Sequence, residues 1–368
     1  MLKRIYADNF RCLVNFELQL DRINLLLGEN GTGKTTVFEL LYRLQQFLAG
    51  SAKVINVFPS SELTRWQTNS TQHFELNLVI ENAEYAYSLA IQHDDDRRKA
   101  RVKKENLLLD GKPLFEFEEG AARLYHDDFS RGAEYPFDWT QSGLAVLQPR
   151  SDNKKLTRFR NEMRKIIIAS FQPALMSSES REESATLSRN TENFVSWYRY
   201  LTQEHAQAVL TIFPELKRVL PGFSGCNLKE AGEARVMKVL FERSDNGGRP
   251  IAYDFNELSD GQRMLIALYS MLFGLKDEGV SLFLDEPDNF VALREIQPWL
   301  MALSDYAGEG VEQSVIISHH PDIINYLAPS SGRWFERESN VPARVSNKPK
   351  ATAQGLTPAE TIARGWEK

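Results

Sequence analysis

Residues Gly28–Thr35 read GENGTGKT, the spacing G-x-x-x-x-G-K-[ST]. The chemistry this suits is phosphate binding. Glycines let the backbone curl until successive N–H groups face inward, and a helix that starts at the lysine adds the positive end of its dipole. The apolar run INLLL precedes the loop, and Val37, Leu40, Leu41 and Leu44 recur behind it at helical spacing. Strand, loop and helix thus follow in the order that this spacing requires. Gly28, Asn30, Gly31, Gly33, Lys34, Thr35 and Thr36 are the expected phosphate-binding residues. Lys34 would reach the β- and γ-phosphates, and Thr35 would hold Mg²⁺ through its hydroxyl.

Two further stretches carry chemistry. SLFLDEPD (281–288) predicts a buried strand with Asp285 emerging at its carboxyl end, where α/β sheets bind ligands. Asp285 would complete the Mg²⁺ shell, and Glu286 would polarise an attacking water as general base. Alone, such a pair is an ordinary solvated strand end; the phosphate loop upstream favours the catalytic reading. ELSDGQRMLIALYS (257–270) is a second glycine-containing loop at a helix start. Ser259 by its hydroxyl, Gly261 by its bare N–H and Gln262 beside them would make another anion site. The alternative is an ordinary helix with Ser259 as N-cap. The two loops head different helices in different lobes, so one nucleotide cannot easily use both. Two chains arranged head to tail can, which implies a homodimer in the nucleotide-bound state.

The elements that must position these residues follow from periodicity. LKRIYA, VNFELQL and INLLLG read as strands, and a helix is predicted from Lys34 to Phe47. Residues 73–118 read as a meander of period-2 segments broken by NA, DDDRR and DGK turns. From Lys154 to Leu220 the pattern is mostly helical: LTRFRNEMRKIIIASF, a polar stretch (177–191), then ENFVSWYRYLTQEHAQAVLTIF. Strands are expected at 234–242, 250–255, 280–286 and over VEQSVIIS, and helices after Gly261 and near 290–306. Near the end, Thr357 as N-cap, Pro358 at N1 and Glu360 at N3 signal a helix start. The 368 residues, 42% hydrophobic and 26% charged, fit a globular protein of one large or two intimate domains. The net charge of −6 does not advertise a nucleic-acid binder, although a local basic groove would suffice. Cys12 and Cys226 have no ligand spacing, and with neither a signal peptide nor an 18-residue apolar run the chain reads as soluble and cytoplasmic.

GENGTGKTT, LSDGQ, LFLDEPD and ISHHPD in this order, preceded by IYADNFRCLVNFEL, resemble the ABC-type ATPases of the SMC/RecF/OLD-like branch. The resemblance covers 1–48 and 251–328. It implies an α/β fold: an ABC-ATPase head with a P-loop sheet, an antiparallel β-meander subdomain and an inserted helical lobe. The expected parts are lobe I (1–148), the helical insertion (149–222), lobe II (223–333) and a C-terminal tail (334–368). It implies ATP and Mg²⁺ as cofactors and hydrolysis of ATP. His319 falls on the switch histidine, Asp288 in the loop that crosses the dimer interface, and Arg11 either near the nucleotide or at an exposed strand end. The family's Mg²⁺-sensing glutamine has Gln148 as its candidate here, with Gln141 competing. Two departures stand out. LSDGQ replaces the usual LSGGQ, so Asp260 adds a carboxylate, and the histidine is doubled as His319–His320. A metal site in HHPD fits poorly, because adjacent side chains of extended backbone point opposite ways.

What such an ATPase acts on is expected in the roughly 220 residues between the two loops. RRKARVKK (97–104) and the run Arg150, Lys154, Lys155, Arg158, Arg160, Arg164, Lys165 are basic enough to meet a DNA backbone, or are solvated mixed-charge surfaces. The resemblance implies action on DNA or a DNA-associated partner, and by analogy the ATPase component of a prokaryotic anti-phage defence system. The alternative is a nucleotide-gated scaffold holding a separate nuclease or toxin effector. Trp334, Phe335 and Trp366 would either dock such a partner or cap the sheet edge.

Overall fold

The alternation in LKRIYAD and FELQ forms an antiparallel pair, β1 (Leu2–Asp8) and β2 (Phe16–Gln19). In this computed structural model, residues 1–94, 99–243, 248–275, 278–347 and 357–363 are described. The chain divides into two compact units: Met1–Ile166 with Leu327–Lys368, and Ile167–Tyr326.

In the first unit the apolar strand β3 (Ile23–Leu27) leads through the glycine loop into α1 (Lys34–Leu48), followed by the single turn α2 (Val54–Val57). The meander comprises β4 (Thr71–Ile80), β5 (Ala83–Asp94), β6 (Lys99–Leu109) and β7 (Lys112–Glu118). It continues into two strands that periodicity missed, β8 (Ala121–Tyr125) and β9 (Arg131–Pro136). β1 pairs with β4, so the antiparallel sheet has eight strands in the order β2-β1-β4-β5-β6-β7-β8-β9. β1 and β2 therefore join the meander, not β3. The strict alternation of β4, buried at every second residue, gives this sheet one packed face, on which Phe58 and Phe74 stack at 5.1 Å. The DDDRR turn lies, apart from Asp94, outside the described residues, as do Arg97 and Arg98.

Helix α3 (Lys154–Arg164) buries Leu156, Phe159 and Met163, and Phe159 stacks on Tyr85. It stops where a helix through IIIAS was expected. β10 (Ile166–Ser170) is a strand. Three consecutive β-branched residues favour extended backbone, and the end of α3 is capped from elsewhere in the fold.

The second unit continues with β11 (Glu179–Ser180), α4 (Phe194–Glu204), α5 (Ala206–Val219), β12 (Phe223–Ala231), β13 (Ala234–Phe241) and β14 (Ile251–Asp254). β13 lies between β11 and β12 and also pairs with β14. The region expected to be a helical insertion thus includes strands, and β12 went unread. Helix α6 (Asp260–Gly274) is buried without interruption from Met264 to Gly274, each large apolar side chain contributing about 1.5–3 kcal/mol. Then come β15 (Val280–Asp285), α7 (Leu293–Tyr306), β16 (Val311–Ile317) and α8 (Pro321–Ser331). β15 and β16 are parallel, with Asp285 abreast of Ile317. No helix among the described residues is long and apolar enough to cross a membrane.

The chain then returns to the first unit as β17 (Gly332–Glu336), parallel to β3 with Trp334 opposite Leu27, and β18 (Arg344–Ser346), antiparallel to β17. Trp334 and Phe335 are buried in this strand, which corrects the docking role considered for them. Trp366 lies outside the described residues. A short helix, α9 (Pro358–Ala363), starts as expected: the Thr357 hydroxyl accepts from the Glu360 N–H, and the Glu360 carboxylate accepts from the Thr357 N–H.

Candidate functional site

The glycine loop is built from backbone that only glycine adopts freely. Gly28, Gly31 and Gly33 have φ of 139°, 80° and 106°. Gly33, left-handed, is the N-cap of α1 and has no side chain to offer the first helical N–H groups. Those donors keep their direction into the loop, the arrangement that binds phosphate. Lys34 is buried, its Nζ donating to Gly28 O at 2.7 Å and Glu29 O at 2.9 Å, so its charge sits inside the loop. Thr35 follows in the first turn, and the Thr36 hydroxyl faces Cys12 Sγ at 3.7 Å. Asn30 lies on the exposed crown between Gly28 and Gly31.

The segment from β17 onward touches the loop at each glycine, which no sequence pattern announced. A methyl group on Gly28 would collide with the Phe335 carbonyl, and one on Gly33 would lie 3.3 Å from Ala343 Cβ. Arg337 donates to Gly31 O at 2.9 Å while its guanidinium lies over the Trp66 ring, 5.2 Å from the centroid.

Arg11 occupies a left-handed turn (φ 48°) and is engaged twice by Glu62, which also binds Arg43 of α1 at 3.0 Å. Burial pushes the Glu62 carboxyl up, but the Arg11 hydrogen bond and the Arg43 charge together hold it below the usual range. The guanidinium of Arg11 is thus held on α1's neighbour and remains partly exposed. Gln148 is exposed, and its carbonyl accepts from Asn153 at 3.0 Å; the competing Gln141 is half-buried.

In the second unit, Ser259 caps α6 in a reciprocal box: its Oγ accepts from the Gln262 N–H at 3.3 Å, and Gln262 Oε1 accepts from the Ser259 N–H at 3.0 Å. Asp260 turns to Arg263, at 2.5 Å, and Arg263 also donates to Pro173 O. A side chain at Gly261 would lie 2.6 Å from the Phe290 carbonyl, so the loop after β15 packs directly on this helix start. In that loop Glu286 has φ 52°, a conformation uncommon for a residue with a side chain. Its N–H donates to Ile317 O at 2.9 Å, and its carboxylate accepts from Asn289 at 2.6 Å. Asp288 is 9% exposed, and its Oδ1 has no hydrogen-bond partner among the described residues. Burial raises its carboxyl above the ordinary value, against the hydrogen bond from Ser318.

Because Asp285 is level with Ile317, residues 318–320 leave β16 beside the Asp285–Glu286 corner. The two histidines then differ. His320 is half-buried, with Nδ1 accepting from the Asp322 N–H at 3.3 Å, whereas His319 is exposed. Asp285, Glu286, Asp288 and His319 therefore lie at or just beyond the same end of two parallel strands.

The basic residues of α3 gather as well. Arg150, Lys154, Arg158 and Lys165 line one groove of about 400 Å³ with Pro149, Thr157, Asn161 and Glu162. Not all are equally available. Arg158 pairs with Glu81, and Lys155 donates to Asp127 O at 2.6 Å and lies over Phe129. Arg160 points the other way, to Leu147 O and Ala145 O. In the other basic stretch Arg101 is taken by Gln92 and Trp139, and Lys104 by Glu118.

Residues 1–211 match the family of AAA ATPase domains. No curated protein sequence matches the chain. Among solved structures it superposes on an SMC head bound to the C-winged helix domain of ScpA, with a TM-score of 0.57 and 10% identity over 98% of this chain and 99% of the head. The SMC head domain from Thermotoga maritima follows with a TM-score of 0.47 and 12% identity, over 94% and 98%; the likeness of fold rests on the first.

Proposed function

Because this chain belongs to the family of AAA ATPase domains, with an SMC-like head fold, we propose that it is an ATP-driven switch that closes as a homodimer and acts on DNA or a DNA-associated partner. The observation that carries the ATP-binding half is the uncapped start of α1, reached through three left-handed glycines with the Lys34 ammonium inside the loop. Gly28, Asn30, Gly31, Gly33 and Thr36 bind phosphates there. Thr35 and Asp285 are the Mg²⁺ residues, with Gln148 sensing the ion; bound, Mg²⁺ neutralises phosphate charge. Glu286 takes the proton of the attacking water, its carboxylate oriented by Asn289. His319, the exposed member of the histidine pair, contacts the γ-phosphate, and Arg11 leaves Glu62 to approach the nucleotide. Ser259, Gly261 and Gln262 close over the γ-phosphate of a second copy, and Asp288 crosses between the copies.

The α3 groove, with Lys154 and Arg158 at its centre, receives the DNA backbone through sequence-independent phosphate contacts. Work in the cytoplasm beside a nuclease or toxin on another polypeptide, as in anti-phage defence, extends the reading by analogy. The Arg158–Glu81 ion pair and the hydrogen bond of Lys155 to the Asp127 carbonyl favour a second reading, a nucleotide-gated scaffold that holds such an effector without touching DNA.

The test is the native mass of Glu286→Gln with and without ATP and Mg²⁺. Doubling with ATP, together with turnover lowered by about 10²–10⁴-fold, is expected. A monomer under both conditions would sink the switch. Absence of salt-sensitive DNA binding, with a co-purifying protein, would select the scaffold.

A further inference from the structure

Helix α3 is held at three points, and one of them lies on the helix that begins at the phosphate loop. Its first N–H groups, those of Lys154 and Lys155, donate to the Asp127 carboxylate at 2.9 Å each. At its other end, where a helix leaves carbonyls without partners, Gln45 Nε2 donates to Met163 O and Ile166 O at 2.7 Å each. Gln45 belongs to α1, the helix that begins at Lys34, and stands three turns along it, about 16 Å from its start. The third point is Arg160, whose half-buried guanidinium binds the carbonyls of Ala145 and Leu147.

The loop that Arg160 holds is also fixed by a buried carboxyl group. Glu105 is fully buried, accepting from Ser142 Oγ at 2.7 Å, Gly143 N at 2.8 Å and Tyr87 OH at 3.0 Å. Burying ionisable groups costs free energy, and Arg160 and Glu105 do not repay it by pairing with each other. Each instead fixes the backbone of the same segment, 142–147, which runs into Gln148. Stability alone is a weak reason for such an arrangement; holding one loop in register with α3 is a better one.

Helix α3 is therefore two-sided. Lys154, Arg158 and Lys165 line the groove, while Arg160 turns to the carbonyls of Ala145 and Leu147 and the last carbonyls of the helix turn to Gln45 of α1. We propose that α3 couples the groove to the ATP site, with Gln45 as the positioning residue that passes a shift of α3 to α1. Resting on the reading that the groove takes a duplex DNA backbone, this adds the route by which DNA alters turnover. Phosphates drawn to Lys154 and Arg158 displace α3, its carbonyls carry Gln45 with them, and α1 carries the loop. By linkage, any change that DNA makes in ATP affinity is matched by an equal change that ATP makes in DNA affinity.

The experiment measures ATP turnover of the full chain with and without a random-sequence DNA duplex, and duplex affinity with and without ATP. Wild type, Gln45→Leu and Gln45→Lys are compared. DNA should change wild-type turnover by about fivefold or more. Gln45→Leu should keep DNA-free turnover and ATP-free duplex affinity within about twofold yet lose both cross-effects. Gln45→Lys still donates to the α3 carbonyls and should restore them, which a merely destabilising change would not predict. Cross-effects undiminished in Gln45→Leu would overturn the coupling role while leaving the functional reading intact. A wild type that binds no duplex would overturn that reading and this inference with it.

Discussion

Glu105 is the residue whose environment departs most from its sequence. It sits in ARVKKENLLL, a stretch that reads as an edge of charged surface, yet it is fully buried and burial raises its carboxyl to about 7 from 4.5, against the hydrogen bonds of Ser142 and Gly143. The sign follows. Between those two values the folded protein keeps a proton that the unfolded chain has released, so stability falls as pH rises from about 4.5 to about 7 and is level above. Replacing Glu105 by Gln should flatten that slope, read as the urea midpoint across the window; an unchanged slope would place the proton elsewhere. The glycines were the opposite case. Their spacing alone announced a curled backbone, because few other reasons exist for that pattern before a lysine. Arg11 was legible only as a choice between two surroundings, since its partner Glu62 is fixed by folding and not by spacing.

At the scale of elements, long alternating strands, the amphipathic helix α1 and the apolar helix α6 were plain, because such patterns are local. Two failures share a cause. AARLY is only five residues long and RGAEYP carries Gly132 and Pro136, so β8 owes its place to pairing with β7 and β9 to pairing with β8. RKIIIAS was read as helix because the stop signal for α3 is Gln45, more than a hundred residues away in the chain. The α3 groove yields a prediction of its own. Lys154→Glu with Arg158→Glu should weaken duplex binding and reduce its salt slope by about one for each phosphate no longer neutralised. Lys155→Glu is a poorer probe, since it also strips the Asp127 and Phe129 interactions that anchor the helix start. Equal slopes for wild type and double variant would remove the groove from any role in DNA binding.

For the whole molecule, the two loops fall in different compact units, the phosphate loop in the first and the Ser259 loop in the second. Composition marked neither boundary, because the chain leaves the first unit at Ile166 and returns at Leu327 inside a helix. The Ser259 loop gives the prediction at this scale. Ser259→Arg should cost about 1 kcal/mol through removal of the cap. It should also abolish ATP-dependent doubling of mass while monomers still bind ATP. If the variant doubles on ATP, Ser259 is an N-cap and no more.

The order of synthesis adds one consequence to the way β17 and the residues after it sit against Gly28, Gly31 and Gly33. β17 leaves the ribosome roughly 300 residues after β3, which at 5–20 residues per second is about 15–60 seconds later. Through that interval the nascent chain carries the letters GENGTGKT without the strand that backs them. The phosphate loop is written early and gains its backing strand late, so under the proposed function a half-made molecule would neither turn over ATP nor close on a neighbour.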